Sequence, residues 1–260
     1  MSCGVISAAM FYRTPRTVGA ARSGLTALVG FFCINCATYT NIKTARALDP
    51  GTFQFNASAG VQRAGSTRSY TPSGEIGGRY GVASGFDIGL TVTTFAVEAN
   101  ATIQLVRSRS FDVALAPAAS IGLTANFDDE HVTIAMAKLP LLVGFNFGAR
   151  SEHQIVLGPT VIGQWDDARG NLLSDGIAPG QYHALLLGST AAVSIAVTDR
   201  FRILPLVGVF VPVWGTGIPT MGAITPQMVL NPDSSGKTPI VFQLALGVSF
   251  GNDGRGILSR

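Results

Sequence analysis

From residue 37 onward the chain has no cysteine, so that part forms no internal disulfide. Charge is scarce as well: 13% of residues are Asp, Glu, Lys or Arg, against a usual ~25%. Past the first forty residues, no uncharged apolar run reaches the ~18–20 residues that a spanning helix needs. Histidines number three (His131, His153 and His183). No Cys/His cluster has metal-ligand spacing, and no glycine-rich phosphate loop is visible. No cofactor and no metal are therefore expected. The 31 glycines argue against long helices. Yet 47% of the chain is hydrophobic, with a mean hydropathy of +0.36. High hydropathy without long runs leaves two solutions. One is a soluble protein with a very large core. The other is a membrane barrel, in which every second residue faces lipid.

Charge of one sign is missing from the start of the chain. The first 35 residues hold Arg13, Arg16 and Arg22 and no acid. Subtracting these three from 18 basic residues leaves 15, against 15 acidic ones. The remainder is neutral, which argues against a nucleic-acid partner. The three arginines precede the apolar run Gly24–Phe32, the layout of a signal peptide over residues 1–35. Cys36 follows. The segment Cys36-Ala37-Thr38-Tyr39, continuing to Thr44-Ala45-Arg46-Ala47-Leu48-Asp49-Pro50-Gly51, resembles the start of bacterial outer-membrane lipoproteins. That resemblance implies acylation of Cys36 and a polar tether over residues 36–51. Ordinary cleavage near Ala45 or Ala47 is the alternative.

From residue 53 the pattern has the period of two that marks strands. Phe53, Phe55, Ala57, Ala59 and Val61 share one face; Gln54, Asn56, Ser58 and Gln62 share the other. Similar alternation recurs through Ile88–Val92, Ala99–Leu105, Phe111–Leu123, Ile155–Val161, Leu185–Val197, Phe201–Val213 and Ile240–Phe250. In the segment 132–147 the apolar residues switch from even positions (Val132, Ile134, Met136) to odd ones (Leu139, Leu141, Val143). A β-bulge near Lys138 is expected there. The strands predict an all-β fold: an up-and-down antiparallel transmembrane β-barrel over 52–250. The count is about ten strands, with eight or twelve if a hairpin is miscounted. A polar tail, 251–260, follows.

Short connections near 83–85, 107–110, 148–152 and 198–200 alternate with others near 65–70, 94–97, 126–130, 164–181 and 214–237. Short turns on one side and longer loops on the other mark a membrane barrel. Aromatics cluster at both strand ends. Phe53, Phe55, Tyr80, Phe86, Phe111, Phe147, Phe201 and Phe250 lie at the short-turn ends. Tyr70, Phe95, Phe127, Trp165, Tyr182 and Trp214 lie at the others. Two such bands are the interfacial girdles of a membrane barrel. In architecture, 53–250 resembles small outer-membrane β-barrel proteins of Gram-negative bacteria. The resemblance implies the bacterial outer membrane as location, with outer-membrane lipid as a partner.

Function then belongs to the lumen or the loops. Arg79, Asp87, Arg107, Asp112 and Arg202 all fall inward near the short-turn ends. They are expected to form one charge cluster across the lumen, either bracing the barrel or filtering small solutes. A ten-strand barrel is close to the size that side chains fill, so a wide pore is excluded. The expected function is non-enzymatic: a narrow channel for transport of a small-molecule solute, or a structural or surface component. One alternative is a membrane-embedded hydrolase, suggested by Asp128-Asp129-Glu130-His131 and by Asp166-Asp167 in expected outer loops. That pattern resembles the dyads of ten-stranded outer-membrane proteases, in which a carboxylate-held His activates water. The other alternative is a soluble lipid-anchored β-sandwich that binds a ligand.

Overall fold

The computed structural model describes residues 43–64, 70–93, 96–125, 131–169, 180–216 and 240–251. Eleven strands occur among them: β1 (Phe53–Ala64), β2 (Thr71–Ala83), β3 (Phe86–Thr93), β4 (Ala96–Arg107), β5 (Phe111–Leu115), β6 (Ala118–Ala125), β7 (His131–Phe147), β8 (His153–Arg169), β9 (Gly180–Ala196), β10 (Phe201–Thr216) and β11 (Val241–Gly251). Apart from β5 and β6, which pair with β4 and β7 and not with each other, each pairs antiparallel with its chain neighbours, and β1 pairs with both β2 and β11. The sheet closes on itself, so no edge is left to seek another chain.

Ten staves make up the ring, because β5 and β6 are two halves of one. Both pair with β4 and with β7, in a single register along β7. The break falls at Ala116-Pro117, where proline has no N–H to give to the ladder. Two bonds span the gap: the Ala116 amide donates to the Pro140 carbonyl (3.0 Å), and the Ala101 amide donates to the Pro117 carbonyl (2.9 Å).

Alternation sorts the side chains as the sequence predicts. Leu90, Leu105, Ile121, Leu139, Leu244 and Leu246 are each at least half exposed, and every stave contributes large apolar residues to this outer surface. Water does not tolerate so continuous an apolar surface; lipid does. The body is therefore a transmembrane barrel, and the soluble β-sandwich is overturned, since the exposed face is the apolar one. At the short-turn end Phe53, Phe55, Tyr80, Phe111, Phe147 and Phe250 are exposed, and Tyr70, Trp165 and Trp214 are exposed at the other. Phe95 and Phe127 lie outside the described residues.

Three expectations about local structure change. No bulge occurs near Lys138: β7 keeps one register with β6 and with β8 throughout. Ile134 and Met136 instead face inward with Lys138, all three buried. The irregularities lie in β2 at Gly81/Ala83, in β4 at Gln104/Val106 and in β10 at Pro212/Trp214. In the last two, consecutive residues (Leu105 and Val106, Val213 and Trp214) both turn outward. Finally, β8 runs on to Arg169. Trp165, Asp166 and Asp167, expected in a loop, are strand residues, and the connection to β9 narrows to 170–179.

The interior has two characters. Along β1–β4 it is polar: Gln54, Gln62, Glu75, Arg79, Asp87 and Glu98 are buried. Along β7–β11 it is largely apolar: Leu142, Val156, Ile162, Leu186, Leu204 and Phe210 are buried. What lies between them determines what the barrel can do.

Candidate functional site: the occupied lumen

The residues just before β1 enter the barrel. At the rim, Asp49–Thr52 forms a turn held to β2, with the Gly51 amide on the Gly81 carbonyl (2.8 Å) and the Gly81 amide on the Thr52 carbonyl (2.9 Å). Followed backward from that turn, the chain climbs into the lumen. Lys43, Thr44, Ala45, Arg46, Ala47 and Leu48 are all buried, none more than 6% exposed. A polar tether was expected here; over 43–48 the segment is instead a plug.

Barrel side chains hold this plug by its backbone. Gln154 Oε1 accepts the Ala45 amide (2.9 Å), Gln104 Oε1 the Ala47 amide (2.7 Å) and Asp87 Oδ2 the Leu48 amide (2.9 Å). Gln104 Nε2 donates to the Ala45 carbonyl (3.2 Å), and Arg79 Nη2 to the Arg46 carbonyl (3.3 Å). An extended segment alone in a lumen has no sheet partner for these groups, and each one left unmade inside costs about 1–3 kcal/mol. Glycine makes the room: a Cβ on Gly144 would lie 2.8 Å from Ala45 Cβ, and one on Gly81 would collide with the Asp49 carbonyl.

The five lumen residues expected to form one cluster separate into four sites. Arg79 and Asp87 do pair directly, Nη2 to Oδ2 at 2.5 Å and Nε to Oδ1 at 3.1 Å. Arg79 also reaches Gln54 Oε1 (3.2 Å) and Thr102 Oγ1 (3.2 Å). Asp112 pairs with Arg46 of the plug at 3.0 Å. Arg107, only part-buried, pairs with Asp49 of the rim turn at 2.9 Å. Arg202 donates to the Glu152 carbonyl (2.6 Å) and to Ser194 Oγ (3.3 Å). Deeper in, Lys43 Nζ meets Asn100 Oδ1 at 2.5 Å, and Lys138 bonds Glu98 at 2.6 Å across the intervening stave. A cavity of about 20 Å³ remains beside Lys43, lined by Glu75, Arg79, Thr91 and Asn100 among others.

Cys36 lies outside the described residues, as do Asp128–Glu130 of the suggested hydrolytic motif. His131 opens β7. Of the other histidines, His153 opens β8, 3.7 Å from Glu152, and accepts the Ala196 amide (3.1 Å). His183 is half-buried on β9 opposite Trp165. No group of three or more His, Cys, Asp or Glu side chains suited to a metal occurs among the described residues.

No protein-family model and no curated protein matches the chain. Similar solved structures do exist. Neisserial surface protein A is 13% identical, with a TM-score of 0.39, over 76% of this chain and 96% of that one. Ail, the attachment invasion locus protein of Yersinia pestis, is 9% identical, with a TM-score of 0.33, over 78% and 99%. The outer membrane protein OprG from Pseudomonas aeruginosa is 12% identical, with a TM-score of 0.31, over 80% and 99%. These are bacterial outer-membrane β-barrels.

Sequence reasoning missed Lys43, Arg46 and Asp49 because they precede the first alternating strand and carry no period. Gln54, Asn100 and Gln104 were legible as inward residues but carry no charge to single them out, and Glu98 lies toward the opposite end of β4 from the expected cluster. Gln154 and Lys138 bracket runs that read as strand ends or as a bulge.

Proposed function

We propose that the chain is a non-enzymatic barrel of the bacterial outer membrane, whose narrow passage is closed at rest by its own residues 43–48. The observation that carries this reading is the plug itself: five backbone groups and one arginine of the segment, each met by a barrel side chain. The apolar half of the lumen is side-chain filled, so the passage is no wider than the segment that occupies it. A small solute is the cargo that fits. The leader, the apolar outer surface and the two aromatic bands support the outer-membrane location, with the short turns on the periplasmic side. Acylation of Cys36 fits the same picture. Six residues separate it from Lys43, and the seven Cα steps reach about 24 Å, enough to meet a membrane face from inside the lumen.

Ion conductance across planar bilayers tests the reading. The full-length wild-type chain passes little current. Arg46→Ala raises the open fraction by roughly two to three orders of magnitude, since breaking one side of a buried pair costs about 3–5 kcal/mol and each 1.4 kcal/mol is tenfold. A wild-type current equal to that of the variant sinks the plug. Silence from both proteins, with the folded heat-modifiable form retained, assigns the barrel to a structural or surface role instead.

A further inference from the structure

Arg46 differs from the other lumen arginines in one respect. Arg79 and Arg202 belong to staves and are part of the wall. Arg46 belongs to the segment that the wall encloses, so its contacts describe how the barrel receives a guanidinium from outside the sheet. Nε and Nη2 face the two carboxylate oxygens of Asp112, at 3.1 Å to Oδ2 and 3.1 Å to Oδ1. Nη2 also donates to the Ser108 carbonyl at 3.1 Å. This is the two-pronged match of a planar guanidinium to a carboxylate, which an ammonium cannot copy.

Two bonds to the receptor carboxylate come from the wall and not from its occupant. Asp112 is fully buried. Its Oδ2 accepts Asn146 Nδ2 (3.0 Å) and Gln154 Nε2 (2.9 Å), both from the wall. Gln154 Nε2 bonds Asn146 Oδ1 as well (2.8 Å), locking the two amides together. These bonds are made without Arg46, although Gln154 Oε1 also accepts the Ala45 amide of the plug. An aimed, buried carboxylate with no cation is costly, so an emptied seat draws in a replacement.

We infer that Asp112, Asn146, Gln154 and the Ser108 carbonyl form a guanidinium-binding site of the lumen, filled in cis by Arg46 and open in trans to guanidinium-bearing ligands. The inference rests on the plug reading for its role in passage, but the site itself is testable without any current.

Chemical rescue provides that test. Arg46→Ala in the full chain leaves the seat vacant. Ethylguanidinium then raises the thermal midpoint of that variant saturably, followed by the heat-modifiable gel shift in detergent. It leaves the wild type and Arg46→Ala/Asp112→Asn unmoved, and ethylammonium at the same concentration gives a clearly smaller rise. If Arg46→Ala alone does not fold, the same salt restores its refolding yield, and Asp112→Asn, carrying an intact Arg46, gains nothing. Equal rises with both cations, or equal rises with and without Asp112, overturn the site. In bilayers, the open Arg46→Ala barrel separates the sources: stronger block by ethylguanidinium points to small cations, and stronger block by acetyl-Ala-Arg-Ala-amide points to arginine-bearing peptides. Rescue without any current keeps the site and removes the plug as a gate.

Discussion

At Arg79 one side chain closes much of the polar half of the lumen. Its guanidinium spans Asp87, Gln54, Thr102 and the carbonyl of Arg46, tying β1, β2, β3 and β4 to the plug. Arg79→Lys keeps the charge and loses the fan of donors. We expect it to cost about 1–3 kcal/mol, the range for leaving buried hydrogen-bonding groups unsatisfied, read from urea unfolding in lipid vesicles. A cost under about 1 kcal/mol, the range of exposed pairs, would show that the fan is dispensable. Much of this was legible from alternation alone, which places Arg79, Asp87, Asp112 and Arg202 on the inner face. Their partners were not legible. Opposite charges at one level suggested that the five would pair among themselves, but two of the counter-charges, Arg46 and Asp49, come from a stretch with no strand period.

At the scale of the element, β7 shows where periodicity misleads. A switch of apolar phase normally signals a bulge, because a one-residue slip turns every side chain to the other face. Here the phase of the backbone never changes. The apolar residues Ile134 and Met136 point inward because the lumen beside β7 and β8 is itself apolar, and small Ala135 and Ala137 take the outer positions. A strand with both faces apolar has no legible register, and only pairing with β6 and β8 settles it. Spin labels read the difference directly. The sequence from residue 37 onward has no native cysteine, so Met136→Cys and Ala137→Cys can be labelled one at a time once Cys3, Cys33 and Cys36 are replaced. The label at 137 is expected to show high collision with oxygen dissolved in lipid, and the label at 136 low collision. The reverse order would restore the bulge. The broken stave β5–β6 was read as one strand, and functionally it is one; Pro117 interrupts the ladder without changing which side faces in.

Over the whole molecule, the fold class and the ten staves were readable because lipid and lumen impose opposite demands on alternate residues, and those demands repeat around the ring. The plug was not readable, because nothing in a short run such as Thr44-Ala45-Arg46-Ala47-Leu48 states that it will be enclosed; only the closed ring provides the enclosure. Membrane placement gives the prediction that belongs to this scale. Leu246 lies in the middle of β11 and Phe250 at its short-turn end, both outward and more than half exposed. In a water-soluble barrel an arginine at either site would be harmless. In lipid the cost depends on depth, about 2–4 kcal/mol near the midplane and about 0–1 kcal/mol near the interface. Leu246→Arg should therefore destabilise the refolded protein in vesicles by about 2–4 kcal/mol, and Phe250→Arg by much less. Equal and negligible costs would return the outer face to water. Equal and large costs would move the membrane boundary past Phe250 and shift the girdle, and with it the depth at which Arg46 meets Asp112.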